Sequence, residues 1–306
     1  MAEGAAANFL STKRYAVVTG SNKGIGFELC KQLASNGVIV VLTSRDEKKG
    51  KAALENLSRS SGLSDKLVFH RLDVTEPTSI DSLADFVKTE FGKLDILVNN
   101  AGLSGCTVDV DALNASGITP PAEPITWEKY TIQNYELAEE CVKTNYYGAK
   151  RTIEALIPLL LRSDSPRIVN VSSYMGKFKY QPNEWAKGVL GDTKNLTEER
   201  IEEVLDQFLQ DFKEGKLAEK GWPSHFSGYK LSKATVNGLT KVMARKYPSI
   251  CINAVCPGAV QTEMNTLNGV LSVEDGAANF LRLALMPPGG PSGLYFDQKE
   301  PASPYE

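Results

Sequence analysis

The chain has 306 residues, 42% of them hydrophobic and 23% charged, which permits one large α/β domain or two smaller ones around a substantial core. A net charge of −3 points to neither nucleic acid nor an anionic membrane as partner. Two histidines, His70 and His225, leave no basis for a histidine-built metal centre, and five cysteines without C-x-x-C spacing fit a reducing compartment.

At the N-terminus, residues 1–14 lack an apolar core of signal-peptide length, and no stretch of the chain approaches a membrane span. A soluble, cytoplasmic protein is the expectation. Tyr15-Ala16-Val17-Val18-Thr19 then reads as a short buried strand. It runs into Gly20-Ser21-Asn22-Lys23-Gly24-Ile25-Gly26, after which Phe27-Glu28-Leu29-Cys30-Lys31-Gln32-Leu33 has helical spacing. Strand, glycine-rich turn and helix in this order suit a dinucleotide: the glycines let the backbone approach a pyrophosphate, and free amides at the helix start bind its charge. The spacing is G-x-x-x-G-x-G rather than G-x-G-x-x-G, and a merely structural turn is the competing reading.

A second strand, 38–44, ends in Thr43 and Ser44 and is followed by Arg45. An NAD site would place a carboxylate near this strand end to hold the ribose hydroxyls. Arg45, with Lys23 from the turn, instead offers two cations to a 2′-phosphate, so NADPH/NADP+ is expected over NADH. Both can also be ordinary surface charges, and Asp46 or Glu47 could turn toward the ribose. Further strand-like runs at 67–72, 96–99, 167–172 and 250–256 alternate with amphipathic stretches such as 79–91 and 141–161. That alternation implies an α/β fold, a Rossmann-type doubly wound parallel sheet spanning 1–306 as a single domain. Two segments depart from it. One is 104–140, rich in small and polar residues, with Pro120, Pro121 and Pro124. The other is 174–225, with a helix expected at 198–214 behind Thr197 as cap.

Next comes Ser227-Gly228-Tyr229-Lys230-Leu231-Ser232-Lys233. Tyr229 and Lys233 are one helical turn apart and share a face. A phenol holds its proton until about pH 10, and a fixed ammonium one turn away lowers that value, so the pair can exchange protons near neutral pH. Tyr and Lys at this spacing also occur by chance on solvated helices.

Together these residues resemble the short-chain dehydrogenase/reductase family over nearly the full chain. Thr19-Gly20 through Gly26 matches its T-G-x-x-x-G-x-G. Asn99-Asn100-Ala101-Gly102 matches N-N-A-G, Tyr229 and Lys233 match Y-x-x-x-K, and Pro257-Gly258 matches P-G after a strand. The long segment before Tyr229, with Asn183-Glu184-Trp185-Ala186-Lys187 and Gly221-Trp222-Pro223, resembles the monomeric carbonyl reductase branch. Cys141-Val142-Lys143-Thr144-Asn145-Tyr146-Tyr147-Gly148 points toward plant reductases of terpenoids and alkaloids.

The resemblance implies roles. Ser173, with Ser172 as the second choice, would polarise a carbonyl oxygen; Tyr229 would protonate it. Lys233 would lower the Tyr229 pKa and bind the nicotinamide ribose, and Asn145 would hold a water linking Lys233 to solvent. Asp73 and Val74 would sit beside the adenine. Asn100, Ala101 and Gly102 would lie against the ribose, Pro257, Gly258 and Val260 by the nicotinamide, and Thr262 on its carboxamide or a phosphate. Met175 and Met264 fall in the rim segments 103–106, 174–176 and 264–271, with 104–140 as a flap. The implied activity is NADPH-dependent, reversible reduction of a small hydrophobic cyclic ketone to an alcohol by a monomer. C=C reduction of an enone, or a non-catalytic NADPH-binding role, are the alternatives.

Overall fold

The computed structural model describes residues 13–115, 127–265 and 269–306. Its strands are β1 (Tyr15–Val18), β2 (Ile39–Ser44), β3 (Leu67–Arg71), β4 (Ile96–Asn99), β5 (Thr107–Val108), β6 (Thr131–Ile132), β7 (Arg167–Val171), β8 (Cys251–Cys256), β9 (Tyr295–Asp297) and β10 (Glu300–Ala302). Eight of them form one sheet in the order β10-β9-β8-β7-β4-β1-β2-β3, parallel throughout except for the terminal β9–β10 hairpin. β5 and β6 pair separately and antiparallel.

The strands are apolar because both faces are covered. Alternate residues go to opposite layers: Val17, Val41 and Leu97 join one core, while Ala16, Val18, Val40, Leu42, Ile96 and Val98 join the other. The second core is closed by α1 (Gly24–Ser35), α2 (Glu47–Ser61) and, late in the chain, α10 (Val273–Ala284). The first is closed by α3 (Pro77–Phe91), α5 (Tyr135–Val142), α6 (Ala149–Leu160) and α9 (Ser227–Lys246), and outside them by α7 (Glu184–Gly191) and α8 (Glu198–Lys213). The short α4 (Val110–Ala115) lies in the 104–140 segment. This is the single-domain doubly wound sheet that the sequence implies.

Three details differ from the sequence reading. The helix expected at 141–161 begins earlier, at Tyr135, because Asn134 caps it by accepting from Leu137 N at 2.8 Å. It is then interrupted by a π-helical turn over Lys143–Gly148 before α6 resumes. β9 and β10 are too short to stand out as apolar runs. The helix expected at 198–214 is α8, and Thr197 does cap it, accepting from Arg200 N at 3.3 Å. Pro120, Pro121 and Pro124, like most of residues 1–14, lie outside the described residues. Among the described residues no helix is long and apolar enough to cross a membrane, and no cluster of side chains could hold a metal ion.

Candidate active site

Strand order reverses on either side of β1 and β4, so their carboxyl ends leave a crevice between outgoing crossovers. A cleft of about 640 Å³ opens there. Its floor is the turn from β1 into α1. Gly20 has φ +60°, and a Cβ on it would stand 2.9 Å from the Ala101 Cα. A Cβ on Gly26 would stand 2.4 Å from Asn100 Nδ2. Lacking both, the turn lies directly on the 100–102 segment. Thr19 Oγ accepts from Asn100 N at 3.0 Å and Ala101 N at 2.9 Å, while Asn100 Nδ2 donates to Thr19 O at 2.9 Å and Gly20 O at 3.0 Å. No side chain caps α1, so its first-turn amides and the positive end of its dipole are available to an anion. A dinucleotide pyrophosphate fits this cradle.

Asn22, Lys23, Gly24, Ile25, Arg45, Asp73, Val74, Ala101 and Gly102 also line the cleft, as do Pro257, Gly258 and Thr262 across from them. Two of the expected residues bring no side chain to the cleft. Ser21 is fully buried; its hydroxyl donates to Val18 O at 2.8 Å and accepts from Thr43 N at 2.9 Å, joining β1 to β2. Val260 is fully buried too, packed where Gly276 has no side chain: a Cβ there would meet Val260 Cγ2 at 2.6 Å. Neither side chain faces the cleft.

Neither cation at the β2 end is solitary. Arg45 lies 3.5 Å from Glu140, and Lys23 pairs with Glu263, all four largely exposed. The two acidic residues after Arg45 are committed elsewhere. Asp46 caps α2 by accepting from Lys49 N at 3.0 Å, a bond that holds its carboxyl below the usual range, and Glu47 pairs with Lys51 at 2.7 Å. Asp73 serves its own turn, accepting from Thr75 N at 2.9 Å and Thr75 Oγ at 2.7 Å, and still borders the cleft.

The opposite end of the cleft gathers Ser173, Tyr229 and Lys233. β7 delivers two adjacent serines whose hydroxyls part company. Ser172 is buried and donates to Asn237 Oδ1 on α9 at 2.7 Å. Ser173 begins the next turn and accepts from Met175 N at 3.2 Å, and its hydroxyl acts on the neighbouring Tyr229 phenol, favouring the ionised form. Lys233, 4% exposed, donates to Val171 O at 2.8 Å, and its Nζ stands 5.5 Å from the centroid of the Tyr229 ring. Burial lowers its pKa to about 8. Burial also pushes the Tyr229 phenol up, with the Ser173 hydroxyl as the opposing influence. Without cofactor, Lys233 is not among the influences on the phenol. Its ammonium is turned to a backbone carbonyl, and desolvation dominates.

Asn145 sits in the π-helical turn, an irregularity that recurs at functional sites. Its Oδ1 accepts from Leu103 N at 2.8 Å, and its Nδ2 donates to Leu103 O at 3.0 Å and Ser232 Oγ at 2.9 Å. The side chain therefore ties the 100–103 loop to α9, with its amide fully engaged. Met175 and Met264 both line the cleft, and Met264 is 46% exposed. Of the rim segments, Leu103, Ser104 and Tyr174 line it too, whereas Cys106 and Gly176 do not; residues 266–268 lie outside the described set. Phe226, Val108 and Glu263 line the cleft without having been singled out. Phe226 stands three residues before Tyr229, which was the one available hint; nothing local marks Val108 or Glu263.

The short chain dehydrogenase family matches residues 14–184 and 217–269. The interval between those spans holds nearly all of α7 and α8. The chain is 58% identical over 291 residues to a (+)-neomenthol dehydrogenase of Arabidopsis thaliana, covering 94% of this chain and 97% of that protein. It is 58% identical over 301 residues to short-chain dehydrogenase/reductase 1 of Saponaria officinalis, covering 98% and 99%. The structure of salutaridine reductase from Papaver somniferum superposes with a TM-score of 0.88 at 52% identity, over 93% of this chain and 99% of that one. With the glycine cradle, the tyrosine–lysine helix and full-length likeness in agreement, the chain belongs to the short-chain dehydrogenase/reductase family of oxidoreductases acting on C=O and CH–OH groups.

Proposed function

We propose that the protein reduces a cyclic ketone of terpenoid or alkaloid type to a secondary alcohol with NADPH, reversibly. The observation that carries this reading is the Tyr229 phenol lining the cleft together with Ser173 and Lys233, with burial holding its proton. Relatives named neomenthol dehydrogenase and salutaridine reductase support the substrate class. When bound, the nicotinamide supplies the hydride. The chain supplies everything else. Ser173 and Tyr229 direct their hydroxyls at one oxygen, which polarises the carbonyl and meets the charge developing on it. Tyr229 gives its proton to that oxygen as general acid. Lys233 contributes a cation behind the phenol, where a ribose hydroxyl can replace the Val171 carbonyl as its partner. Because the Asn145 amide is already engaged, the water-holding role suits its backbone carbonyl.

The preference for NADPH is read from Lys23 and Arg45 on the cleft wall, with Asp46 and Glu47 turned away. A 2′-phosphate there replaces Glu140 and Glu263 as the partner of these cations. A monomer is read from α8, whose Ile201, Val204, Leu205 and Phe208 are fully buried in the core that α9 and α5 share.

NADPH oxidation by wild type and Tyr229→Phe against cyclic ketones tests the reading. Loss of turnover by about 10²- to 10⁴-fold in the variant is expected. Undiminished turnover refutes Tyr229 as the acid. With a cyclic enone the product decides between chemistries: an allylic alcohol supports carbonyl reduction, a saturated ketone supports C=C reduction.

A further inference from the structure

The helix that carries Tyr229 begins in an unusual way. Phe226, at its N-cap, has φ +50° and ψ +32°, the left-handed region that a bulky residue rarely occupies. No side chain at the cap position holds the first amides. The bond comes instead from Gln133, 94 residues earlier. Its Oε1 accepts from Ser227 N at 3.0 Å and Ser227 Oγ at 2.9 Å, and its Nε2 donates to Ser224 O at 2.9 Å. One side chain thus brackets Phe226 from both flanks.

Gln133 directly follows β6, and β6 pairs with β5. That hairpin places Val108, opposite Thr131, on the cleft wall, where Phe226 also lies. A second fastening joins the same two stretches. Ser224 Oγ donates to Glu128, and the His225 ring lies 3.5 Å from the same carboxylate and 3.0 Å from Lys230 Nζ. Glu128 and Gln133 are therefore both fastened to the residues that open α9.

We infer that Gln133 is a positioning residue: by capping α9 from outside and holding Phe226 in its left-handed conformation, it sets the substrate end of the cleft between Val108 and Phe226. The inference rests on the ketone-reductase reading for its kinetic consequence but not for its structural one. Bulky cyclic ketones need both walls in register; small ones do not. The NADPH cradle is at the other end and is untouched by the change.

The test compares full-length wild type, Gln133→Ala and Gln133→Glu. For Gln133→Ala, KM for a bulky bicyclic ketone is expected to rise about 10-fold while KM for cyclohexanone and Kd for NADPH stay within about 2-fold. Gln133→Glu keeps the acceptor on Ser227 and suits the positive helix end but loses the donor to Ser224 O, so it should restore the cap while recovering only part of the KM loss. In parallel, hydrogen exchange of the cofactor-free protein reads the cap directly: amides of residues 227–230 should exchange faster in Gln133→Ala and be protected again in Gln133→Glu. Equal shifts in every KM and in NADPH Kd, or unchanged exchange at 227–230, overturn the inference. Wild type that reduces none of the ketones sinks the ketone reading alone, and the exchange result still decides the role of Gln133.

Discussion

Replacing Lys233 by methionine should stabilise the cofactor-free protein while destroying its activity. Lys233 is 4% exposed, its ammonium donates one hydrogen bond to Val171 O, and no carboxylate is among the influences on its charge. Burial moves its pKa from 10.5 to about 8. At roughly 1.4 kcal/mol per pH unit, keeping it charged in the fold costs about 3 kcal/mol. Methionine fills similar volume without charge and forfeits the bond to Val171, worth about 1–2 kcal/mol. The expected net gain at pH 7 is about 1–2 kcal/mol, or a few degrees in Tm.

The pH dependence follows from the direction of the shift. A lysine whose folded pKa is depressed binds its proton more tightly when unfolded, so wild-type stability from this group rises with pH between about 8 and 10.5. Below about 8 the penalty is fully present. The variant's advantage should therefore be complete at pH 7 and shrink toward pH 10. Urea unfolding of both proteins at pH 7 and pH 10, without cofactor, measures this. A variant less stable at pH 7, or an advantage equal at both pH values, refutes the reasoning.

Three further outcomes are expected. Arg45→Asp should weaken NADPH binding by about 10- to 100-fold, the loss of a charge-assisted phosphate bond, and leave NADH less affected; fluorescence titration with the two cofactors checks it, and an unchanged preference refutes it. Gly26→Ala forces a Cβ to 2.4 Å from Asn100 Nδ2, so the turn must lift from the 100–102 segment, costing about 1–3 kcal/mol with cofactor affinity falling as well; normal binding and stability contradict it. Light scattering should give the mass of one chain, since α8 occupies the outer face of α9; a mass of two chains contradicts the monomer.

What the sequence made legible was whatever local spacing controls. The glycine turn announces itself because strand, glycines and helix are contiguous, and Tyr229 and Lys233 share a face by helical periodicity alone. The alternation of strands and helices is local as well, and the doubly wound sheet follows from it. Which of Ser172 and Ser173 faces the cleft is not local. Adjacent hydroxyls diverge by the alternation of an extended chain, and Asn237, 65 residues on, takes one of them. Spacing also says that Lys233 neighbours Tyr229 without saying what dielectric surrounds them, and burial reverses the expected direction for the phenol. Gln133 was invisible for the same reason: a helix cap supplied from 94 residues away leaves no mark on the helix's own sequence.

The same long-range pairing changes how the cofactor clamp should be understood. From sequence, Lys23 and Arg45 read either as two cations for a 2′-phosphate or as ordinary surface charges. In the fold each faces a carboxylate, Glu263 for Lys23 and Glu140 for Arg45. Both pairs are largely exposed, and such pairs contribute little. A 2′-phosphate, with charge near −2 and several acceptor oxygens, displaces them readily and gains stronger bonds than it breaks. A ribose hydroxyl has no comparable claim and leaves the carboxylates in place. On the proposed reading, discrimination between the two cofactors therefore arises from an exchange of partners. Glu140→Gln should accordingly tighten NADPH by a few-fold with little effect on NADH, because it removes the competing anion and leaves the cation untouched.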